Sequence, residues 1–255
     1  SPYAGFMPLV GVYGTGFLVA LTAALFTYLL WFKRHGVVLS VALIVIMVSG
    51  CTLKHVKWTE KAGAPIQTTL IQGNISQDEK SQADNLLKTL LIYQQMTYAH
   101  WDSQVIVWPE TSIPAYLSQV DEHFLTPLEK QAKAHKTDLI VSLLEKDPGS
   151  GAVFNSAMVL GAQRSVYRKN HLLPFGEYMP LQPLSGWVLH NIGIRLDDFT
   201  PGGDYQPLLK AAGHNITTSI CYEDAFGSEA IRHLAETDYL VNLTNDAWFG
   251  RSFEP

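Results

Sequence analysis

Two apolar runs, Val10 to Phe32 and Val37 to Leu53, open the chain without a charged residue in either. Each falls within the roughly 17 to 25 residues that carry an α-helix across a bilayer core. The connection Lys33-Arg34-His35-Gly36 has room only for a tight turn. The pattern therefore predicts a transmembrane helical hairpin over residues 1–60, with helices at about 10–32 and 37–53 and both outer ends on one side. A cleavable leader does not fit, because no charged segment precedes the first run and no small-residue cleavage site separates the two. The positive-inside rule would put the Lys33/Arg34 turn in the cytoplasm. Lys54, Lys57 and Lys61 crowd the other end, so charge counting does not orient the hairpin.

From Ile66 onward the pattern changes to short β-rich runs alternating with stretches of helical period. Ile66 to Gln72, Val105 to Trp108, Leu139 to Leu144, Val153 to Leu160, Ile216 to Ile220 and Tyr239 to Thr244 read as strands. Gln82 to His100, His123 to His135 and Ser228 to Glu236 read as helices between some of them. Such alternation implies crossover connections around a largely buried sheet, and residues 61–255 read as one layered α/β domain. Between Tyr178 and Tyr205 the regularity fails, and Pro and Gly mix with Leu181, Leu184, Trp187, Val188, Leu189, Ile192 and Ile194. A long loop with an apolar surface, beside a membrane anchor, is expected to lie at the bilayer surface and admit a lipid, with Trp187 as a supporting residue; the alternative is an arm packed on its own domain.

Composition narrows the function. The chain is 47% hydrophobic and 16% charged, and its net charge is -5. No clustered basic surface is available to neutralise phosphates, which excludes nucleic acid as a partner. The two cysteines, Cys51 and Cys221, lie in an apolar membrane run and after a soluble strand, so no disulfide between them is expected. Cys221 then stands as a free thiol that asks for a reason.

Glu110 and Cys221 each follow a predicted strand directly, in Trp108-Pro109-Glu110 and Cys221-Tyr222-Glu223. Residues just past several strands converge at the carboxyl edge of an α/β sheet, however far apart they lie in sequence. A third segment, Tyr167 to Tyr178, brings Lys169 and Glu177 close together around a Pro and a Gly. A carboxylate, a lysine and a thiol suffice for acyl transfer through a thioester. Glu110 takes the thiol proton and later returns it. Lys169, with a backbone N–H just after the nucleophile, supports the thiolate and the tetrahedral oxyanion. Asn245 and Asp246 after the last strand suit a turn.

In this order and spacing WPET, YRKNHLLPFGEYMP, ICYED and NDAWFG resemble the signature blocks of the nitrilase superfamily. The form HLLPFGEYMPL, together with NDAWFG and the membrane hairpin, resembles its apolipoprotein N-acyltransferase branch. The resemblance implies an αββα sandwich, a catalytic triad of Glu110, Lys169 and Cys221, and a supporting second glutamate, Glu177. It places Tyr222 and Glu223 beside the nucleophile and Trp248 near the lipid substrates. It implies no cofactor and no metal. The reaction implied moves an acyl chain from a phospholipid to the cysteine, and then to the α-amino group of a diacylglyceryl apolipoprotein. Its setting is a multi-pass protein of the bacterial inner membrane with the catalytic domain on the periplasmic side. Relatives carry further membrane helices before the equivalent of Ser1 and further domain segments after NDAWFG, so the catalytic domain here is expected to be truncated at its C-terminus. An alternative is a membrane-tethered carbon-nitrogen hydrolase, an amidase handing the same thioester to water. A non-catalytic binding protein has no chemical reason to keep all three triad groups.

Overall fold

The computed structural model describes residues 1–32, 35–76, 80, 85–180 and 198–249, the side chains of Trp248 and Phe249 excepted. The chain divides into two compact units, Ser1–Ala64 and Pro65–Pro255.

In the first unit a 3-10 turn, Pro2–Phe6, leads into helix α1 (Met7–Phe32), and α2 (Gly36–Leu53) follows after the turn. Both are long and apolar enough to cross a membrane, and hardly any of either is buried in protein. Side chains such as Phe17, Trp31, Val37 and Ile44 point outward, where hydrocarbon satisfies them and water does not. The expected first helix begins too late: α1 starts at Met7 but is interrupted at Gly11, whose φ of +65° breaks the helical path. Glycine reaches that region without a Cβ penalty.

The second unit holds two sheets. Strands β1 (Thr68–Leu70), β2 (Val105–Val107) and β3 (Asp138–Lys146) run parallel, and β4 (Val153–Leu160) and β5 (Ser165–Arg168) continue the sheet antiparallel. The second sheet pairs β6 (Leu209–Ala211) antiparallel with β7 (His214–Ile220), and β7 parallel with β8 (Tyr239–Leu243). Alternation along the strands divides the core. Ile106, Leu139, Val141, Met158 and Leu160 pack with Leu90 and Tyr93 of α3 (Leu86–Tyr98) and with Leu128 and Ala132 of the helix at Thr126–His135. Their neighbours Val105, Val107, Ile140, Ala157 and Val159 face the other way and meet Leu209, Ala211, Ile216, Ile220 and Leu243 of the second sheet. A strand buried on both faces reads as a continuous apolar run, which is why VIVW and LIVSLL were legible.

Helices therefore cover one face of the first sheet, and the second sheet covers the other. On the outer face of the second sheet Leu240 is 56% exposed, and the described residues there include the single helical turn Gly227–Ala230. The helix expected over Ser228 to Glu236 is broken into that turn and a 3-10 turn, Leu234–Glu236. The helix expected from His123 begins earlier, as Leu117–Val120 and a π turn, Asp121–Leu125, ahead of Thr126–His135. Strands β5 and β6 were not expected. The β6–β7 hairpin turns at Ala212 and Gly213, both at positive φ, the geometry that matches the twist of paired strands.

Candidate active site

Glu110 is delivered by the carboxyl end of β2. Trp108 there is fully buried, stacks on Tyr93 with ring centroids 4.9 Å apart, and donates its indole N–H to Thr97 Oγ1 at 3.0 Å. Thr111, at φ +52°, donates its N–H to Ser142 Oγ of β3 at 3.1 Å. The turn so anchored leaves the Glu110 carboxylate only 5% exposed.

Lys169 follows β5, and its N–H donates to the Asn155 carbonyl of β4 at 2.8 Å. Its side chain is 2% exposed, and Nζ lies 2.9 Å from Glu177 Oε1, 2.8 Å from Glu177 Oε2 and 3.7 Å from Glu110 Oε1. Glu177 closes a tight turn from Leu173, whose N–H donates back to Glu177 Oε2 at 2.8 Å.

Cys221 is the first residue past β7 and sits at φ +53°. A side chain with a Cβ is disfavoured there, at a cost on the order of 1–3 kcal/mol. Such a sharp strand-end turn projects a nucleophile away from the sheet. The Glu110 carboxylate and the Lys169 ammonium face the thiol closely enough to act on its charge, and Tyr222 and Thr244 flank the sulfur.

Electrostatics match this geometry. Burial raises the Glu110 carboxyl above the ordinary carboxylate range; Lys169 and Asn155 oppose that, and Glu177 reinforces it. Burial and then the Glu110 charge push the Cys221 thiol up, against Lys169. Burial alone would lower Lys169, but Glu110 and Glu177 outweigh it and hold the ammonium above the usual lysine range. Lys80 is also buried; burial lowers its pKa, with the Glu110 charge in opposition. The resting site is thus a neutral thiol facing a carboxylate of raised proton affinity, beside a firm positive charge. Thiol activation here relies on the base, because no preformed thiolate is favoured.

The triad positions and Glu177 are brought together. Tyr222 contributes its N–H at the sulfur, while its side chain is 39% exposed and meets Phe226 edge-on at 5.1 Å. Glu223 turns the other way. It is 2% exposed and accepts from the N–H groups of Ile220 at 2.7 Å, Asn170 at 2.6 Å and His171 at 3.0 Å, and from the Tyr167 hydroxyl at 2.9 Å. One carboxylate therefore ties the Cys221 turn to the backbone that carries Lys169. Glu223→Gln would aim an NH2 group at donors. Each buried N–H left unpaired costs about 1–3 kcal/mol, so the thermal unfolding midpoint should fall. An unchanged midpoint would remove the clamp.

The Trp248 backbone lies in a 3-10 turn, Asp246–Phe249, and its side chain is outside the described residues, as is all of Trp187. The ends of the expected loop are described: Met179 N–H donates to Asp198 at 3.2 Å, and Phe199 N–H donates to the Glu177 carbonyl at 2.8 Å. Asn155, Thr244 and Lys80 were missed as site residues. For Asn155 a signal existed, since a polar pair, Asn155-Ser156, interrupts a strand that is otherwise apolar.

The sequence profile of the carbon-nitrogen hydrolase family matches residues 67–255. The chain belongs to the carbon-nitrogen hydrolase family. A Methylococcus capsulatus protein named apolipoprotein N-acyltransferase is 44% identical over 251 residues, 97% of this chain and 49% of that one. One of the same name from Nitrosomonas europaea is 38% identical over 257 residues, 100% of this chain and 51% of that one. The chain thus spans about half the length of the curated relatives it matches. The crystal structure of the C. elegans NitFhit protein aligns with a TM-score of 0.50 at 15% identity, covering 70% of this chain and 42% of that one. That likeness is one of fold, the nitrilase-like mixed α/β architecture of this family.

Proposed function

We propose that this chain is the catalytic core of an apolipoprotein N-acyltransferase. The observation that carries the reading is the buried Glu110, Lys169 and Glu177 cluster facing the Cys221 thiol, in a chain that also carries two membrane-length apolar helices. The names of its relatives support it.

In the first half-reaction Glu110 takes the Cys221 proton as sulfur attacks the ester carbonyl of a phospholipid. Lys169 and the Tyr222 N–H stabilise the oxyanion. The C–O bond breaks, and the lysolipid leaves with the proton from Glu110. In the second, the α-amino group of a diacylglyceryl-cysteine attacks the thioester and gives a proton to Glu110. The S–C bond breaks and the thiol is restored. Glu177 holds the ammonium in place. Tyr222 flanks the nucleophile, Trp248 and Trp187 are the aromatic residues assigned to the lipid substrates, and the setting is the periplasmic face of the inner membrane.

The test is direct. The intact protein is incubated with phospholipid vesicles, the Cys221 peptide is examined by mass spectrometry for an acyl adduct, and a diacylglyceryl lipopeptide is then added. Adduct that persists until the amine arrives supports the transferase. Steady release of free fatty acid without amine supports the amidase-like alternative, and absence of adduct defeats both.

The loading rate has a predicted pH dependence. Glu110 must be ionised to accept a proton, and its pKa is raised. The rate should therefore fall as pH drops through a midpoint above the ordinary glutamate value of about 4.3. It should not fall again near neutrality, because Lys169 keeps its charge. An acid limb at the ordinary value would remove Glu110 as the buried base.

A further inference from the structure

The two carboxylates of the site are not equivalent, and one side chain outside the motifs separates them. Glu177 is saturated. Its Oε1 accepts from Lys169 at 2.9 Å and from Asn155 Nδ2 at 3.1 Å, and its Oε2 meets Lys169 Nζ at 2.8 Å and the Leu173 N–H at 2.8 Å. Glu110 lies outside hydrogen-bond distance of the ammonium, at 3.7 Å. It accepts from Asn155 Nδ2, 2.9 Å from Oε1, and faces the Cys221 thiol.

Asn155 is 6% exposed, and its two amide hydrogens each go to a different carboxylate. Carboxylates only accept, which fixes the amide with nitrogen toward them. Its carbonyl also takes the Lys169 N–H at 2.8 Å. One residue of β4 therefore fixes the Lys169 backbone, the orientation of Glu177 and the orientation of Glu110. The register explains how. Ser156 pairs with Arg168 across β4 and β5, which sets Asn155 against Lys169, and Leu144 of β3 pairs with Asn155 on the other side.

We propose that Asn155 is a positioning residue that holds Glu110 off the lysine and onto the thiol, so that Glu110 and not Glu177 takes the Cys221 proton. Without that amide, Glu110 loses its neutral donor and the fixed orientation that aims it at the sulfur. The groups that face Glu110 are Lys169, Glu177, Cys221 and Lys80. Loss of the amide leaves it beside Glu177 with one fewer donor, and its protonated form gains. The proposal rests on the acyl-transfer reading for its reaction, but not for its measurement.

The experiment uses the intact protein in detergent. Alkylation of Cys221 by iodoacetamide, resolved from Cys51 by peptide mass, reads thiol activation without any lipid substrate. Acyl loading from phosphatidylethanolamine and phosphatidylglycerol vesicles is measured in parallel. Asn155→Asp keeps the shape and removes the donor; Asn155→Ala removes both, and Asn155→Ser serves where either fails to fold. Ser156→Ala, which deletes the hydrogen bond to Glu145 from the next residue of the same strand, is the control for plain destabilisation. In the Asn155 variants the acid limb of alkylation should move up by about one pH unit, and loading at neutral pH should fall about tenfold to a hundredfold. Ser156→Ala should lower the unfolding midpoint and leave the limb in place. A limb unmoved in the folded Asn155 variants, or moved equally by Ser156→Ala, overturns the proposal. If the limb moves as expected while the wild-type protein never loads acyl from vesicles, the acyltransferase reading falls and the positioning role stands.

Discussion

Cys221→Ala should eliminate the acyl adduct and all turnover while the protein stays folded. The nucleophile is the group that forms the bond, and no neighbouring side chain can replace it: Glu110 and Lys169 are locked into each other's field, and Tyr222 offers its N–H. The fold should tolerate the change. Alanine meets the same φ of +53° as cysteine, so the backbone cost is unaltered, and the cysteine is only half-buried. The stability change is therefore expected to be on the order of 1 kcal/mol or less. Cys51, in α2, should be dispensable, and Cys51→Ala should load at the wild-type rate. An adduct mapped to Cys51, or turnover retained in the Cys221→Ala protein, would sink the assignment.

Lys169→Met should be nearly as severe in rate and far more severe in stability. Removing one oxyanion contact costs on the order of a hundredfold to a thousandfold in rate. The change also withdraws the ammonium that opposes the raised pKa of Glu110, so the base is driven toward its protonated form and the acid limb moves upward. Stability suffers because two carboxylates lose the ammonium between them; breaking a buried pair by deleting one partner typically costs about 3–5 kcal/mol. A double variant separates the two effects. Lys169→Met with Glu177→Gln discharges the carboxylate that paired most closely with the ammonium, so the unfolding midpoint should recover much of its loss while the loading rate stays low. Recovery of loading together with stability would mean that Lys169 only holds the fold, and wild-type loading in the single variant would remove its catalytic role altogether.

Much of the site was readable before any geometry. Glu110 and Cys221 each lie within three residues of the end of a strand read from an apolar run, Lys169 lies in a string punctuated by Pro and Gly, and all three converge. Glu177 was readable for the same reason, because a Pro-Phe-Gly turn folds it back within eight positions of Lys169. Glu223 was readable as a neighbour of the nucleophile but not as what it is. Its partners, Tyr167, Asn170 and His171, lie more than fifty residues upstream, and no local pattern announces that three backbone amides point at one carboxylate.

The sequence by itself determined the elements whose signals are local. The two membrane-length helices follow from composition, since an unbroken apolar run satisfies its own backbone as a helix and needs no partner. Strands β2, β3 and β4 follow from runs that only a sheet buried on both faces would accept. Tertiary structure decided what depends on pairing. Ser165–Arg168 and Leu209–Ala211 are too short and too mixed to declare themselves, and they become strands because β4 and β7 offer them ladders. The same pairing makes Asn155 a site residue: the β4–β5 register sets its carbonyl against the Lys169 N–H, and the turn after β2 sets Glu110 against its amide. A hydrogen bond between residues forty-five positions apart is a property of register, and register is settled only when the strands meet.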